Sequence, residues 1–205
     1  VKNERVKVAV DAMGGDFAPE EIVKGAVLAV QKDNVEVILT GPHDILEREL
    51  AKYKSIPDSS IHCVEAREVV TEDESPALAV RHKRNSSIAV AAKLVESGEA
   101  QALVGAGATG AVAVSALHYI GMVEGIDRPA ISGNVGSFAP NIVIMDLGAN
   151  VDCKPYHLLT FAIAGCIFAD KLLDISNPTV GLLNVGIEES KGNEAAREAY
   201  ALLEN

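Results

Sequence analysis

Two loops concentrate groups that handle anions. In Asp146-Leu147-Gly148-Ala149-Asn150-Val151-Asp152-Cys153-Lys154-Pro155, two acids, an amide and a lysine fall between a strand-like run and a helix start. Such a loop can bind an anion through backbone N–H groups and Lys154, while Asn150 donates to a developing oxyanion. The alternative makes Asp152 the cap of the helix at Pro155 and Lys154 a solvated charge, and both readings stay open. In Asn184-Val185-Gly186-Ile187-Glu188-Glu189-Ser190-Lys191-Gly192-Asn193-Glu194 the theme returns, with Asn184 ending a strand and Lys191-Gly192-Asn193 opening a helix. Lysine with free amides at a helix N-terminus suits phosphate; the alternative is a charged surface loop with Asn193 as N-cap.

Gly105-Ala106-Gly107-Ala108-Thr109-Gly110 is a GxGxxG run between a strand and a helix, the context of a dinucleotide site. The acid expected about 20 positions on is missing, and Arg128-Pro129-Ala130-Ile131 occupies that region. Close helix packing is therefore an alternative use for these glycines. Ala111 stands where a P-loop would need its lysine. Arg81-His82-Lys83-Arg84-Asn85-Ser86-Ser87 is the one basic cluster, either a solvated face or a dock for an acidic macromolecule or a phosphate. No HExxH, GxSxG or Cys/His dyad occurs; His43, His62, His118 and His157 read as structural or exposed, and Cys153 as an incidental thiol.

The elements that must position these loops alternate. Val6 to Val10 reads as a strand, followed by the glycine loop Asp11-Ala12-Met13-Gly14-Gly15-Asp16. Pro19-Glu20-Glu21 opens a helix whose apolar face is Ile22, Val23, Ala26, Val27 and Val30. A strand over Val35 to Thr40, a helix around Ile45 to Tyr53 and a strand over Ile61 to Val64 follow. Ser75-Pro76 starts one helix, and Ser86-Ser87 caps another that stops at Gly98. Ala102 to Ala106, Ile142 to Asp146 and Val180 to Val185 read as further strands, each entering a glycine or asparagine loop before a helix. This alternation predicts a parallel sheet covered by helices, with ligands at the carboxyl ends of its strands. Gly121 to Ser137 is the most irregular stretch, read as a subdomain connection or an active-site loop.

Composition narrows the class. In 205 residues, 48% are hydrophobic but only 4% aromatic, with no Trp, so the core must be aliphatic. A formal net charge of −11 opposes nucleic acid as a general partner. Cys63, Cys153 and Cys166 are odd in number and lack zinc spacing, which fits a reducing cytoplasmic setting and no metal. The N-terminal residues leave no room for a signal peptide's apolar region. Leu158 to Ala169, the longest apolar run, is too short to cross a bilayer and reads as a buried helix.

Taken in order, five segments resemble the bacterial phosphate acyltransferase family of phospholipid synthesis: Val8 to Asp16, Arg81 to Ser87, Gly125 to Ala130, Asp146 to Pro155, and Gly181 to Gly186 through Lys191 to Glu194. The resemblance implies a three-layer α/β/α sandwich with a mostly parallel sheet, of the isocitrate/isopropylmalate dehydrogenase and phosphotransacetylase architecture, which dimerises. It implies transfer of a fatty acyl group from acyl-acyl carrier protein to inorganic phosphate, with no cofactor, metal or covalent acyl-enzyme. Lys154 and Lys191 would hold phosphate, and Asn150 and Asn184 the oxyanion or phosphate. Gly14, Gly15, Thr109 and Gly110 would shape the pocket, Asp11, Asp16 and Asp146 would orient these groups, and Gly186, Gly192 and Asn193 would complete the substrate site. Arg81, Lys83 and Arg84 would meet the acidic carrier protein. A membrane glycerol-3-phosphate acyltransferase would act downstream, and work would be cytoplasmic and peripheral at the inner face of the membrane. Two departures stand out. Ala108 replaces the family's usual Asn, and the family continues past Asn205, so residues 1–205 are expected to be the N-terminal and central part of a single α/β domain. The rival classes are an NAD-linked dehydrogenase of the same fold and a non-catalytic carrier-protein-binding module.

Overall fold

The computed structural model describes residues 5–57, 59–134, 136–188 and 191–204, and the chain divides into two compact units, Val1–Gly121 and Met122–Asn205. Residues 1–4, used above to argue against a signal peptide, and Glu189 and Ser190 of the second lysine loop lie outside the described residues.

The first unit is built on strands β1 (Val6–Asp11), β2 (Val35–Gly41), β3 (Ile61–Glu65) and β4 (Ala102–Gly105), all parallel, in the order β3-β2-β1-β4. Helices α1 (Glu20–Lys32), α2 (His43–Leu50), α3 (Pro76–His82), α4 (Ser87–Glu96) and α5 (Thr109–Ser115) connect or follow them. Successive strand residues point to opposite faces, and the core divides accordingly. Val10, Val37 and Leu39 pack with Val23, Ala26 and Val30 of α1 and Leu46 of α2. Ala9 and Ile38, one residue out of phase, pack with Ala91 and Leu94 of α4. Helices therefore cover both faces, giving three layers, α/β/α, around a mostly parallel sheet. The predicted apolar face of α1 is buried at Val23, Ala26, Val27 and Val30. Gly98 takes a left-handed φ of 79° just past α4, where the sequence placed the stop. One local expectation changes: Ser86 is the N-cap of α4 by position, yet its hydroxyl makes no cap bond and is buried.

The second unit holds a ribbon of β5 (Ser132–Asn134) and β6 (Val143–Met145), then α6 (Pro155–Leu173) and α7 (Glu194–Leu203). Three expectations are corrected here. The strand read over Ile142 to Asp146 is shorter and runs antiparallel to β5, with Gly133 opposite Ile144, instead of joining the parallel sheet. Val180 to Val185 forms no strand: an apolar run becomes one only when a neighbour accepts its N–H groups, and here Leu183 and Val185 are 94% and 86% exposed. Leu158 to Ala169 does lie in a helix, but it is only partly buried, with Ile163 and Ile167 more than half exposed. At 19 residues and a mean hydropathy of 1.4, α6 is long and apolar enough to cross a membrane, a test that core helices also pass.

Candidate functional site

In the first unit the carboxyl ends of β1 and β4 meet. Asp11, the last residue of β1, is 4% exposed and accepts the Met13 N–H at 3.1 Å. Burial pushes its carboxyl above the ordinary range, against the opposing effect of the Ser87 hydroxyl and the Met13 and Gly14 N–H groups. Thr40, also buried, donates through Oγ1 to the carbonyls of Ser87 at 2.9 Å and Val10 at 3.1 Å, tying the start of α4 to the central strands. The two glycine loops cross above this knot. A Cβ on Gly107 would stand 3.0 Å from the Gly14 Cα, and one on Gly14 would stand 2.5 Å from Asp11 Oδ2. A Cβ on Gly110 would lie 2.7 Å from Cγ of Pro76, the first residue of α3. The GxGxxG glycines thus serve close approach of backbone to backbone and of helix to helix. Thr109, at the start of α5, and Asp16 are exposed beside the crossing.

A raised carboxyl pKa means that the folded state holds its proton more tightly than the unfolded chain, so stability falls as pH rises from 3.8 through the folded value. Asp11→Asn removes that decline. Compared with the parent chain in urea denaturation, the variant is expected to gain relative stability between pH 4 and pH 7.

The basic cluster separates into unlike members. Lys83 Nζ is held by Glu74 Oε2 at 2.6 Å and the Val69 carbonyl at 2.7 Å. The Lys83 ammonium, helped by the Thr71 N–H, brings the Glu74 carboxyl down to about 2. Arg81 and Arg84 are exposed.

In the second unit, residues 125–131 run as a strap alongside the loop after β6. The Leu147 N–H donates to the Ile131 carbonyl at 2.9 Å, and Asn150 Nδ2 to that of Pro129 at 2.8 Å. Arg128 Nη1 donates to the Asp152 carbonyl at 3.2 Å, and the Tyr156 hydroxyl to that of Gly125 at 2.9 Å. Asp146 anchors the loop itself. Its Oδ1 accepts the N–H groups of Ile131 and Ala149, and its Oδ2 those of Asn150 and Asn150 Nδ2, over 2.7 to 3.0 Å. Partial burial pushes its carboxyl up, but these donors together hold it below the ordinary range. The Asn150 Nδ2 group is therefore bonded to the strap at Pro129 and to the loop at Asp146, which differs from the oxyanion role expected of it. The N-cap of α6 is Lys154, not Asp152, and Lys154 is exposed.

The second lysine loop closes on itself. Asn184 Nδ2 donates to the Lys191 carbonyl at 3.0 Å, and Asn184 Oδ1 accepts the Val185 N–H at 2.9 Å. Gly192 has a φ of 89° and sits so close to the Asn184 amide that no Cβ fits. Asn193 caps α7, accepting the Ala196 N–H at 2.8 Å. A Cβ on Gly186 would stand 2.9 Å from Lys191 Cγ.

These two loops line one cleft of about 710 Å³, walled by Val151, Leu158, Leu182 and Ala196, with Asp152, Cys153, Asn184 and Asn193 as its polar groups. The openings of α6 and α7 both border it, through Cys153 and Leu158 and through Asn193 and Ala196, so the partial positive charge of two helix N-termini meets there, while Lys154 and Lys191 are exposed and follow or precede the lining residues Cys153 and Gly192 in the chain. Burial and then the Asp146 charge push the Cys153 thiol up, away from a thiolate. No cluster of metal-ligating side chains occurs among the described residues. The cleft belongs to the second unit and the glycine crossing to the first. Sequence reasoning named Ser87 only as a helix cap, Thr40 only as the end of a strand and His157 only as structural or exposed, and gave Asp127, within the Gly125 to Ala130 segment, no role of its own.

The family model described as fatty acid synthesis protein matches residues 6–205. A relative from Pelotomaculum thermopropionicum named phosphate acyltransferase is 50% identical over 199 residues, covering 97% of this chain and 58% of its own length. Relatives of the same name from Desulfitobacterium hafniense and Clostridium tetani are 48% and 42% identical, covering 97% and 98% of this chain and 59% and 60% of their own lengths. The chain thus spans about three fifths of the length of the curated relatives it matches.

Proposed function

The chain belongs to the fatty acid synthesis protein family, and from that premise we propose that it carries the phosphate-handling part of a phosphate acyltransferase. In this reading a fatty acyl group passes from acyl-acyl carrier protein to inorganic phosphate, and the acyl phosphate feeds phosphatidic acid synthesis. A phosphate oxygen attacks the thioester carbonyl, a C–O bond forms, the C–S bond breaks, and the phosphopantetheine thiolate leaves. Holding two anionic reactants together and stabilising the tetrahedral oxyanion supplies the catalysis. No cofactor is proposed.

The observation that carries the reading is the single cleft on which both lysine-bearing loops converge. Lys154 and Lys191 are assigned to phosphate, Asn184 and Asn193 to the substrate end of the cleft, and Asp146 and Asn150 to the loop's shape. Lys154→Ala and Lys191→Ala are each expected to raise the phosphate KM or lower kcat by about tenfold or more. Steady-state kinetics of thiol release at varied phosphate checks this.

The acidic carrier protein is assigned to Arg81 and Arg84, with Lys83 fixed beside them by Glu74. The double reversal Arg81→Glu/Arg84→Glu is expected to raise the carrier-protein KM several-fold at low salt, with the difference shrinking as salt screens it. A homodimer, working in the cytoplasm at the inner membrane face ahead of a glycerol-3-phosphate acyltransferase, completes the proposal.

The test is release of carrier-protein thiol from palmitoyl-acyl carrier protein, with and without phosphate, by the 205-residue chain and by the Pelotomaculum thermopropionicum relative. Phosphate-dependent release by both places the machinery within this chain. Release by the relative alone makes this chain a binding part of it, and release by neither rejects the reading.

A further inference from the structure

His157 is 2% exposed, and its ring is held from both edges. Nδ1 accepts the backbone N–H of Lys154 at 3.0 Å, and Nε2 faces Asp127 Oδ2 at 3.3 Å. An imidazole that accepts at Nδ1 carries its proton on Nε2, so Asp127 receives it and fixes that tautomer. Phe161, one turn on, stacks against the ring at 6.4 Å between centroids, and the Thr160 hydroxyl donates to the His157 carbonyl at 2.8 Å. Buried imidazole is thereby locked directly beneath the exposed N-cap of α6, the residue next to Cys153 of the cleft wall. Asp127 comes from the strap and His157 from the helix, so the pair also joins the two segments that shape the loop.

We propose that His157, oriented by Asp127, is a positioning residue that sets the backbone of Lys154, the residue after Cys153 of the cleft wall, and so governs how Lys154 meets an anion. This rests on the assignment of Lys154 to phosphate. Asparagine places its Oδ1 where Nδ1 was and can still accept the Lys154 N–H, whereas glutamine reaches Asp127 but leaves that N–H without its acceptor. The two variants therefore separate positioning from mere bulk.

The experiment is titration of inorganic phosphate into the 205-residue chain, followed by 31P line broadening, with thermal melts run alongside. Lys154→Ala is expected to weaken phosphate binding about tenfold, and His157→Gln about fivefold, the equivalent of one net hydrogen bond. His157→Asn is expected to stay within about twofold of the parent. Should the His157 variants fail to fold, the exposed Asp127 decides: Asp127→Ala is expected to weaken binding about threefold, and Asp127→Asn, which still accepts from Nε2, to restore it. Equal losses in His157→Gln and His157→Asn, or parental affinity in both His157→Gln and Asp127→Ala while Lys154→Ala is weakened, overturn the proposal alone. Absence of phosphate binding in the parent, or no loss in Lys154→Ala, overturns the assignment beneath it.

Discussion

Replacement of Asp146 by alanine is expected to lower phosphate-dependent thiol release by about a hundredfold, the scale at which a misplacement near 1 Å acts on a reacting pair. Four N–H donors, from Ile131, Ala149 and Asn150, converge on this one carboxylate, and the alanine variant leaves all four without it. Hydrogen bonds to a charged acceptor are worth more than neutral ones, and the net loss is expected to be about 3 kcal/mol after water repairs the exposed part. Asp146→Asn is the sharper probe, because it keeps the shape but turns an NH2 group toward N–H donors. The pH dependence follows from the depressed pKa. A carboxylate held below 3.8 stabilises the folded state fully above that value and loses the contribution as pH falls through its folded pKa. Urea denaturation of parent and Asp146→Asn should therefore differ at pH 7 and converge in acid.

The glycine crossing gives the second large effect, and one of opposite sign for its control. Gly14→Ala would set a Cβ 2.5 Å from Oδ2 of the buried Asp11 side chain and 3.1 Å from the Gly107 backbone. Relief requires the two loops to part, at an expected cost of about 2 to 3 kcal/mol. Gly107→Ala meets the Gly14 Cα at 3.0 Å and should show a related loss, and the two substitutions should be strongly non-additive because either alone parts the same pair of loops. Gly25, in the interior of α1, has nothing within 4 Å of its would-be Cβ. There, alanine should stabilise the chain by about 0.5 to 1 kcal/mol. A denaturation series over Gly14→Ala, Gly107→Ala and Gly25→Ala tests both signs in one experiment.

The parallel sheet was legible because its strands are short apolar runs whose pairing with helices follows from period and punctuation: α1, with Pro19 and two acids at its start, lies within a residue of its expected place. The ribbon was not, because pairing direction is not written in a single strand. Nothing in Val143-Ile144-Met145 itself says that Ser132-Gly133-Asn134 lies beside it antiparallel. The site was half legible. Residue type and spacing brought out Lys154, Asn184, Lys191 and Asn193, whose loops the fold does bring to one cleft. Asn150 was read by type as a free amide, but long-range partners such as the Pro129 carbonyl decide its use. Ser87 was read as a cap and Thr40 as the end of a strand; they matter because the fold places them around Asp11.

The order β3-β2-β1-β4 has a consequence for where a ligand of the first unit can enter. From β1 the chain winds outward one way to β2 and β3, with α1 and α2 on one face. It then returns across the sheet to the far side of β1, with α4 on the other face. β1 and β4 therefore flank the topological switch point, the place where such sheets take ligands, and here the loops leaving the two strands close over the carboxyl edge with Gly14 against Gly107. Asp11 and Gly105 are register partners beneath that contact. The place of the switch point is thus a property of winding order rather than of any side chain. Substitutions beneath it can alter how the loops close, but only a change in which face each helix covers could move it.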